Sequence, residues 1–262
     1  MKLDLRPASS LPLDELAELF TRAYEGYFVP FALDAERLAF MVGAYDLDFD
    51  ASRIALDRSE PVGLANLGLR GREAWVGGLG VVAGARRAGV GRLLMEALHE
   101  EARGRGVERV WLEVVDQNAA AIALYRELGY EHVRDVEVWL LDAEVPPATA
   151  DPLTVDEARA LIAARREARE PWQRADGTLD RLDDLEALRA DDAAVVFRAT
   201  GTYVSILQLE GAQAGSEKLV AALRARGPVA LMNLPPEHAG ASALAVHGAC
   251  VTLRQHELAL AL

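Results

Sequence analysis

Thirteen residues, Gly80-Val81-Val82-Ala83-Gly84-Ala85-Arg86-Arg87-Ala88-Gly89-Val90-Gly91-Arg92, combine small side chains, glycines and three arginines between an apolar run and a helical pattern. Glycine lets a backbone approach a ligand closely and adopt positive φ. A helix that starts just after such a loop turns its unbonded N–H groups and the positive end of its dipole back into it. The chemistry this suits is the binding of a phosphate or pyrophosphate. The same letters also describe an ordinary strand-to-helix turn with solvated arginines, and the local pattern alone leaves both readings open. Further on, Asn118 and Tyr125 are seven residues apart in one helical pattern, which puts them two turns apart on one face. Glu73 and Glu113 each lie on a strand candidate. One cysteine and five scattered histidines do not make a zinc site at ligand spacing, and no metal is expected.

These groups need elements to hold them. Leu3 to Leu5 alternates like a strand, and Ser9 or Ser10 can cap a helix carrying Leu13, Leu16, Ala17, Phe20 and Tyr24 at helical spacing. A second helix is expected from Asp34 to about Gly43. Tyr45-Asp46-Leu47-Asp48-Phe49-Asp50 then sets three carboxylates at alternate positions. Strands follow at Ser52–Leu56, Val62–Leu69 and Glu73–Val82, with Arg70-Gly71-Arg72 as the hairpin turn between the last two. Beyond the arginine loop, Val90, Leu94, Ala97, Leu98 and Ala102 form an apolar stripe. Val110–Val115 reads as a strand, Ala119–Leu128 as a helix capped by Asn118 and ended by Gly129, and Tyr130–Leu141 as a last strand. The fold class is α/β, with a mixed, mostly antiparallel sheet flanked by helices.

Val145-Pro146-Pro147-Ala148-Thr149-Ala150-Asp151-Pro152 has the composition of a linker, so the chain divides into domains 1–145 and 146–262. The second part opens with a capping box, Thr154-Val155-Asp156-Glu157, and Leu179, Leu182, Leu185 and Leu188 suggest a helix. Strands at Ala193–Arg198 and Tyr203–Leu209, a helix at Ser216–Arg226, a strand at Val229–Leu234, a helix at Glu237–His247 and a terminal strand then repeat the order of the first part. Laying Gly248 on Gly129 aligns Ala230–Leu234 with Trp111–Val115, and implies a diverged internal duplication. At the place of the arginine loop the second copy has Leu209-Glu210-Gly211-Ala212-Gln213-Ala214-Gly215, and Leu244 stands for Tyr125.

A net charge of −13 argues against general nucleic-acid binding and against anionic membrane surfaces. No apolar run has membrane-spanning length and the N-terminus lacks a signal-peptide core, so a cytoplasmic location is expected. Cys250, in an apolar strand-like run, is expected to be a buried inert thiol, and His99 and His132 to be solvated. Gly78-Leu79-Gly80-Val81-Val82-Ala83 formally matches a dinucleotide fingerprint, but no helix begins among its glycines.

Arg86-Arg87-Ala88-Gly89-Val90-Gly91 followed by Asn118-Ala119-Ala120-Ala121-Ile122-Ala123-Leu124-Tyr125-Arg126-Glu127-Leu128-Gly129-Tyr130 resembles the GCN5-related N-acetyltransferase (GNAT) family over roughly residues 1–142. The second half resembles the same fold more faintly, so the likeness implies two GNAT-like (acyl-CoA N-acyltransferase) domains, the C-terminal one degenerate. The resemblance implies acetyl-CoA as co-substrate, its pyrophosphate on the amides of Arg86, Arg87, Ala88, Gly89, Val90, Gly91 and Arg92. Its pantetheine arm would pair with the edge at Leu79, Gly80 and Val81, between strands that splay apart, and Asn118 would touch that arm or cap its helix. By the same resemblance Tyr125 protonates the departing thiolate, Glu73 is the first candidate for the base that deprotonates the acceptor amine, and Glu113 is the second. The implied function is direct acetyl transfer to a primary amine of a small molecule or peptide. The alternative is a non-catalytic acyl-CoA-binding module. Glu25 and the carboxylates of Asp46, Asp48 and Asp50 could attract a cationic acceptor, and pairing into a homodimer is admissible.

Overall fold

Strands that follow one another through two-residue turns pair antiparallel, and residues 53–81 are built that way, with the first strand added to their edge. In the computed structural model, which describes residues 3–29 and 31–262, β1 (Leu3–Pro7) pairs with β2 (Arg53–Asp57), β2 with β3 (Glu60–Arg70) and β3 with β4 (Glu73–Val81), all antiparallel. Arg58 and Ser59 both take positive φ (50° and 80°) in the β2–β3 turn, the left-handed pair that a tight hairpin demands. β5 (Arg109–Val115) then pairs parallel to β4 after the crossover helix α3 (Val90–Gly104).

By contacts the chain forms two units, Met1–Val133 with His256–Leu262, and Arg134–Gln255. The expected division at Val145 therefore differs from the observed one. β6 (Glu131–Leu141) pairs through Val229–Leu141 with β11 (Val229–Leu234), which draws its later residues into the second unit, while the C-terminal end of β12 (Cys250–Ala261) completes the first.

In the first unit, α3 lays Val90, Leu94, Met95, Leu98 and Ala102 on one side of the sheet, against Ala74, Val76, Val110, Leu112 and Val114. Each large side chain among these contributes on the order of 1.5–3 kcal/mol by leaving water. On the other side, α1 (Leu13–Ala23) buries Leu16, Leu19 and Phe20 with α2 (Ala35–Tyr45) beside it. No serine caps α1. Ala8–Ser10 form a short turn of their own, Ser10 Oγ donates to the Pro7 carbonyl, and the helix opens after Pro12. Asp34 does cap α2, accepting from the Arg37 N–H at 2.8 Å.

In the second unit the sheet order is β6-β11-β10-β9-β8-β7, where β7 is Asp151–Leu153, β8 Glu186–Ala190, β9 Ala193–Ala199 and β10 Val204–Glu210. The Thr154–Glu157 capping box opens α5 (Val155–Ala163) as its sequence requires. The leucine stripe from Leu179 to Leu188 is not one helix: only α6 (Asp176–Leu179) is helical, Asp184 turns left-handed at φ 56°, and Leu188 is buried in β8. The three-residue spacing matches one face of a helix, but the chain turns between Asp180 and Leu185 and the stripe ends in a strand. α7 (Gln213–Arg224) and α8 (Ala239–Val246) correspond to α3 and α4 (Ala119–Glu127).

The correspondence extends to single hydrogen bonds. Gly129 and Gly248 both take left-handed φ (91° and 82°) after their helices. Gly129 N–H donates to Arg126 O and Tyr130 N–H to Tyr125 O; Gly248 N–H donates to Ala245 O and Ala249 N–H to Leu244 O, all at 3.0 Å. Both ends are the same Schellman turn, with Leu244 at the station of Tyr125.

Candidate active site

The site begins where two strands part. β4 and β5 pair only at Glu73, Ala74 and Trp75 with Arg109, Val110 and Trp111. On its other side β4 stays paired with β3, but it carries an extra residue between Val76 and Leu79, and Gly78 sits there at φ 139°. Such a bulge bends and twists a strand away from its neighbour. Glycine is required here and at Gly80 by packing as well. A Cβ on Gly78 would lie 2.6 Å from Phe20, and one on Gly80 would lie 2.7 Å from the Cβ of Ala23. The Gly78–Gly80 pair therefore serves the close seat of α1 on the strand.

A cavity of about 620 Å³ opens beyond the parting, within the range of small-molecule sites. Of the residues expected to hold acetyl-CoA, Leu79, Gly80, Val81, Arg86, Arg87, Gly89, Val90, Gly91, Arg92 and Asn118 line it, while Ala88 is exposed and lies off its wall. Gly89 caps α3 at φ 83° with no side chain over the helix end, so the first amides of α3 point toward the cavity with the positive end of the dipole. A Cβ on Gly89 would meet nothing within 4 Å, which leaves the approach to those amides open.

The arginines divide their labour. Arg86 donates from Nε to Val81 O at 2.9 Å, and from Nη2 to Glu25 O at 2.7 Å and Ala23 O at 3.2 Å. It fastens the end of α1 to the end of β4, and the cavity keeps its charge but not those N–H groups. Arg92 pairs with Glu127 and stands 3.9 Å from Glu96. Arg87, left-handed at φ 64° and exposed, has no ion pair or hydrogen bond among the described residues.

The sequence did not single out the aromatic wall. Phe20 stacks on Tyr24 with ring centroids 4.9 Å apart, Tyr24 meets Tyr27 edge-on at 4.9 Å, and Tyr24, Tyr27 and Phe28 line the cavity. The Leu79 backbone beside the Tyr24 hydroxyl and the Asn118 side chain beside that of Tyr27 ease their ionisation, while burial, the larger effect, raises both above the ordinary phenol value. Asn118 also caps α4, accepting from Ala121 N–H at 3.2 Å. The spacing Tyr24-x-x-Tyr27-Phe28 after a helix was the available signal. Tyr125 lies behind this wall, 6% exposed, with its ring 5.6 Å from that of Tyr130. Burial first, then neighbouring Tyr27, pushes its ionisation well above the ordinary phenol value.

The two carboxylates stand on the sheet face opposite α3, each held by a tryptophan of the neighbouring strand. Trp75 Nε1 donates to Glu113 at 2.9 Å, and Trp111 Nε1 to Glu73 at 3.1 Å. Their heights differ. Glu73 pairs in register with Arg109 before the strands part. Glu113 stands two residues beyond the last pair, level with the bulge. At about 3.3 Å per residue that separates their stations by some four residues, roughly 13 Å.

The acidic segment is internally paired: Asp46 with Arg70 at 2.7 Å, Asp48 with Arg105 at 2.6 Å, and Asp50 accepting from Ser9 Oγ. His99 is buried rather than solvated, its Nε2 3.0 Å from the Tyr130 hydroxyl, because the period of α3 turns it inward beside Leu98. His132 is exposed, as expected, and its ring packs edge-on against His256. Cys250 is exposed at the head of β12, where the strand's first residue faces out, and is not the buried thiol expected. No helix among the described residues is long and apolar enough to cross a membrane.

Comparison with known proteins agrees with this geometry. Residues 10–130 match the family model described as Acetyltransferase (GNAT) family. The [Ribosomal protein bS18]-alanine N-acetyltransferase of Salmonella typhimurium is 56% identical over 45 residues, which are 17% of this chain and 30% of that protein. The chain thus spans under a third of that curated relative's length. A GCN5-related N-acetyltransferase from Sphaerobacter thermophilus superposes over 99% of this chain and 95% of its own, with a TM-score of 0.72 at 18% identity. A tandem GNAT protein from the clavulanic acid biosynthesis pathway covers 99% of this chain and 98% of its own, with a TM-score of 0.66 at 18% identity. The match to the Acetyltransferase (GNAT) family model over residues 10–130 takes in the splayed strands, the uncapped helix start, Asn118 and Tyr125, all in one unit.

Proposed function

We propose that the first unit is an N-acetyltransferase that moves the acetyl group of acetyl-CoA directly to a primary amine of a small molecule or peptide. The observation that carries this reading is the parting of β4 and β5 over a cavity bounded by the starts of α3 and α4. Acetyl-CoA, the co-substrate of GNAT acetyltransferases, supplies an activated acetyl thioester. Its diphosphate suits the uncapped start of α3 with Arg87 beside it. Its pantetheine amides suit the edge of Leu79–Val81 that β5 leaves unpaired, as an added strand would.

An ammonium must lose a proton before it can attack. Glu113 is the better base, because it stands level with the bulge where the acetyl carbonyl would be presented, whereas Glu73 stands roughly 13 Å back along the sheet. Trp75 fixes the Glu113 carboxylate by the 2.9 Å hydrogen bond. Tyr125 is the proton donor toward the departing sulfur. Its buried site keeps the phenol protonated at working pH, and the same burial opposes a lasting phenolate. The proton that Glu113 takes from the amine balances the one that Tyr125 gives to the thiolate.

The test is release of CoA thiol by the full chain across a panel of peptide N-termini, polyamines and amino sugars, with acetyl-CoA binding measured in parallel by calorimetry. Turnover on at least one amine supports the enzyme. Tight acetyl-CoA binding with no turnover on any amine supports the non-catalytic module instead.

A further inference from the structure

Gly78 and Gly80 admit more than a helix: they let an aromatic ring lie against the strand. A Cβ on Gly80 would stand 3.0 Å from Cε2 of Tyr24, and one on Gly78 would stand 3.3 Å from the Tyr24 hydroxyl oxygen. The ring of Tyr24, the residue that ends α1, therefore runs along β4 from Gly80 to the bulge. It does so beside Leu79–Val81, the stretch whose outer edge β5 leaves unpaired, and it lines the cavity there.

The ring is held from several sides. It stacks on Phe20 at 4.9 Å, meets Tyr27 edge-on at 4.9 Å and leans on Phe31 at 5.0 Å. Phe20 is itself only 2% exposed, so swinging Tyr24 aside means opening the packed core under α1. Burial first, then the phenols of Tyr27 and Tyr125, pushes the Tyr24 ionisation well above the ordinary value. The cavity thus meets a bulky neutral group there, close to the proton donor assigned to the departing sulfur. The wall on the α3 side is aliphatic: a Cβ on Gly91 would find Leu124 at 3.5 Å and Leu79 at 3.9 Å.

We propose that Tyr24 sets the length of the acyl group this cleft accepts, its ring standing as a stop that admits two carbons and turns away longer chains. The inference rests on the acetyltransferase reading, in which the pantetheine follows the Leu79–Val81 edge and the thioester lies at the bulge. On that path a third or fourth acyl carbon runs into the ring, and a well-packed wall resists added methylenes. One methylene in an apolar pocket is commonly worth about 10- to 200-fold in discrimination.

Calorimetric Kd values of the full chain for acetyl-CoA, propionyl-CoA and butyryl-CoA test this, beside CoA release from each thioester across the amine panel. The parent chain should bind butyryl-CoA at least about tenfold more weakly than acetyl-CoA. Tyr24→Ala should bring the two within about threefold of each other, and Tyr24→Phe, which keeps the ring, should hold the parent's ratio. Tyr24→Leu, melted thermally beside the others, should relax the ratio partway and serves if the alanine variant does not fold. Equal binding of acetyl-CoA and butyryl-CoA by the parent, a ratio unmoved by the alanine and leucine variants, or a ratio lost as fully in Tyr24→Phe would each overturn the inference. Discrimination by Tyr24 without turnover on any amine would remove the enzyme and keep the selector. Turnover without discrimination would do the reverse, and failure of acetyl-CoA to bind would remove both.

Discussion

The starts of α3 and α7 hold corresponding positions in the two units, yet one is open and the other filled. Around Gly89 nothing stands within 4 Å of an added Cβ, whereas Gly211 and Gly215 are pressed against Ala190–Ala193. The backbone plan is common: a three-residue parallel pairing, a bulge, and a Schellman turn closing the next helix. The difference therefore lies in side chains and one turn, and on the proposed reading a splayed pair of strands is not by itself a cofactor site. An unobstructed helix end and unengaged cations are needed as well.

Tyr125 and Leu244 give the sharpest way to break this contrast. Tyr125→Phe should lower turnover about 10²- to 10⁴-fold, the range for losing a positioned proton donor, with acetyl-CoA affinity nearly intact. Leu244→Met, at the matching position of the second unit, should leave turnover unchanged. Steady-state rates beside calorimetric Kd values decide it, and undiminished turnover in Tyr125→Phe removes the tyrosine from the mechanism. Next in size is the carboxylate pair. Glu113→Gln should cost roughly 10²-fold or more in turnover and Glu73→Gln far less. The reverse order would restore Glu73 as the base and undo the argument from strand height.

A third effect is the acid sensitivity that His99 brings to the first unit. His99 in the first unit is held down to about pKa 4, first by burial and then by the nearby charge of Arg103. Unfolded, the same imidazole would titrate at 6.5. Between these values the unfolded chain binds more protons, so stability rises with pH there. The contribution is complete above about pH 6.5 and drains away as pH falls toward 4. At 1.36 kcal/mol per pKa unit its ceiling is about 3 kcal/mol. His99→Gln can keep the bond to Tyr130 without titrating, and urea melts from pH 7 to 4 should show a shallower loss than the parent chain. Parallel curves would mean that some other group sets the acid limb.

Which of these features could be read from the sequence follows their range along the chain. The helix start at Gly89, the Asn118 cap and the Gly129 turn are local backbone chemistry, written within a few residues. The repeat of the second half was legible for the same reason, since Gly248 and its helix recur in place. Arg86 misled because its partners, Ala23 O and Glu25 O, are more than sixty residues away. The aromatic wall of Tyr24 and Tyr27 was hidden for a like reason, since only folding brings them to Leu79 and Asn118. His99 looked solvated because a polar letter on an amphipathic helix usually is. Only the tertiary partner, Tyr130, shows why it turns inward.

The smallest effect tests the arginines themselves. Three occur in the first unit's loop, but Arg86 is bonded to carbonyls and Arg92 is paired with Glu127, which leaves Arg87 to meet an arriving diphosphate. Arg87→Ala should weaken acetyl-CoA about tenfold, close to 1.4 kcal/mol, and should flatten the dependence of Kd on salt, because an exposed cation acts through screened charge. Arg86→Ala should differ in kind. It should lower the melting temperature by loosening α1 from β4, and it should leave the salt dependence steeper than Arg87→Ala does. Titrations of each variant at 50 and 300 mM salt, beside thermal melts, distinguish the two. If Arg86→Ala is the one that flattens the salt response, its carbonyl bonds yield on binding, and the division of labour among these arginines is the reverse of that drawn here.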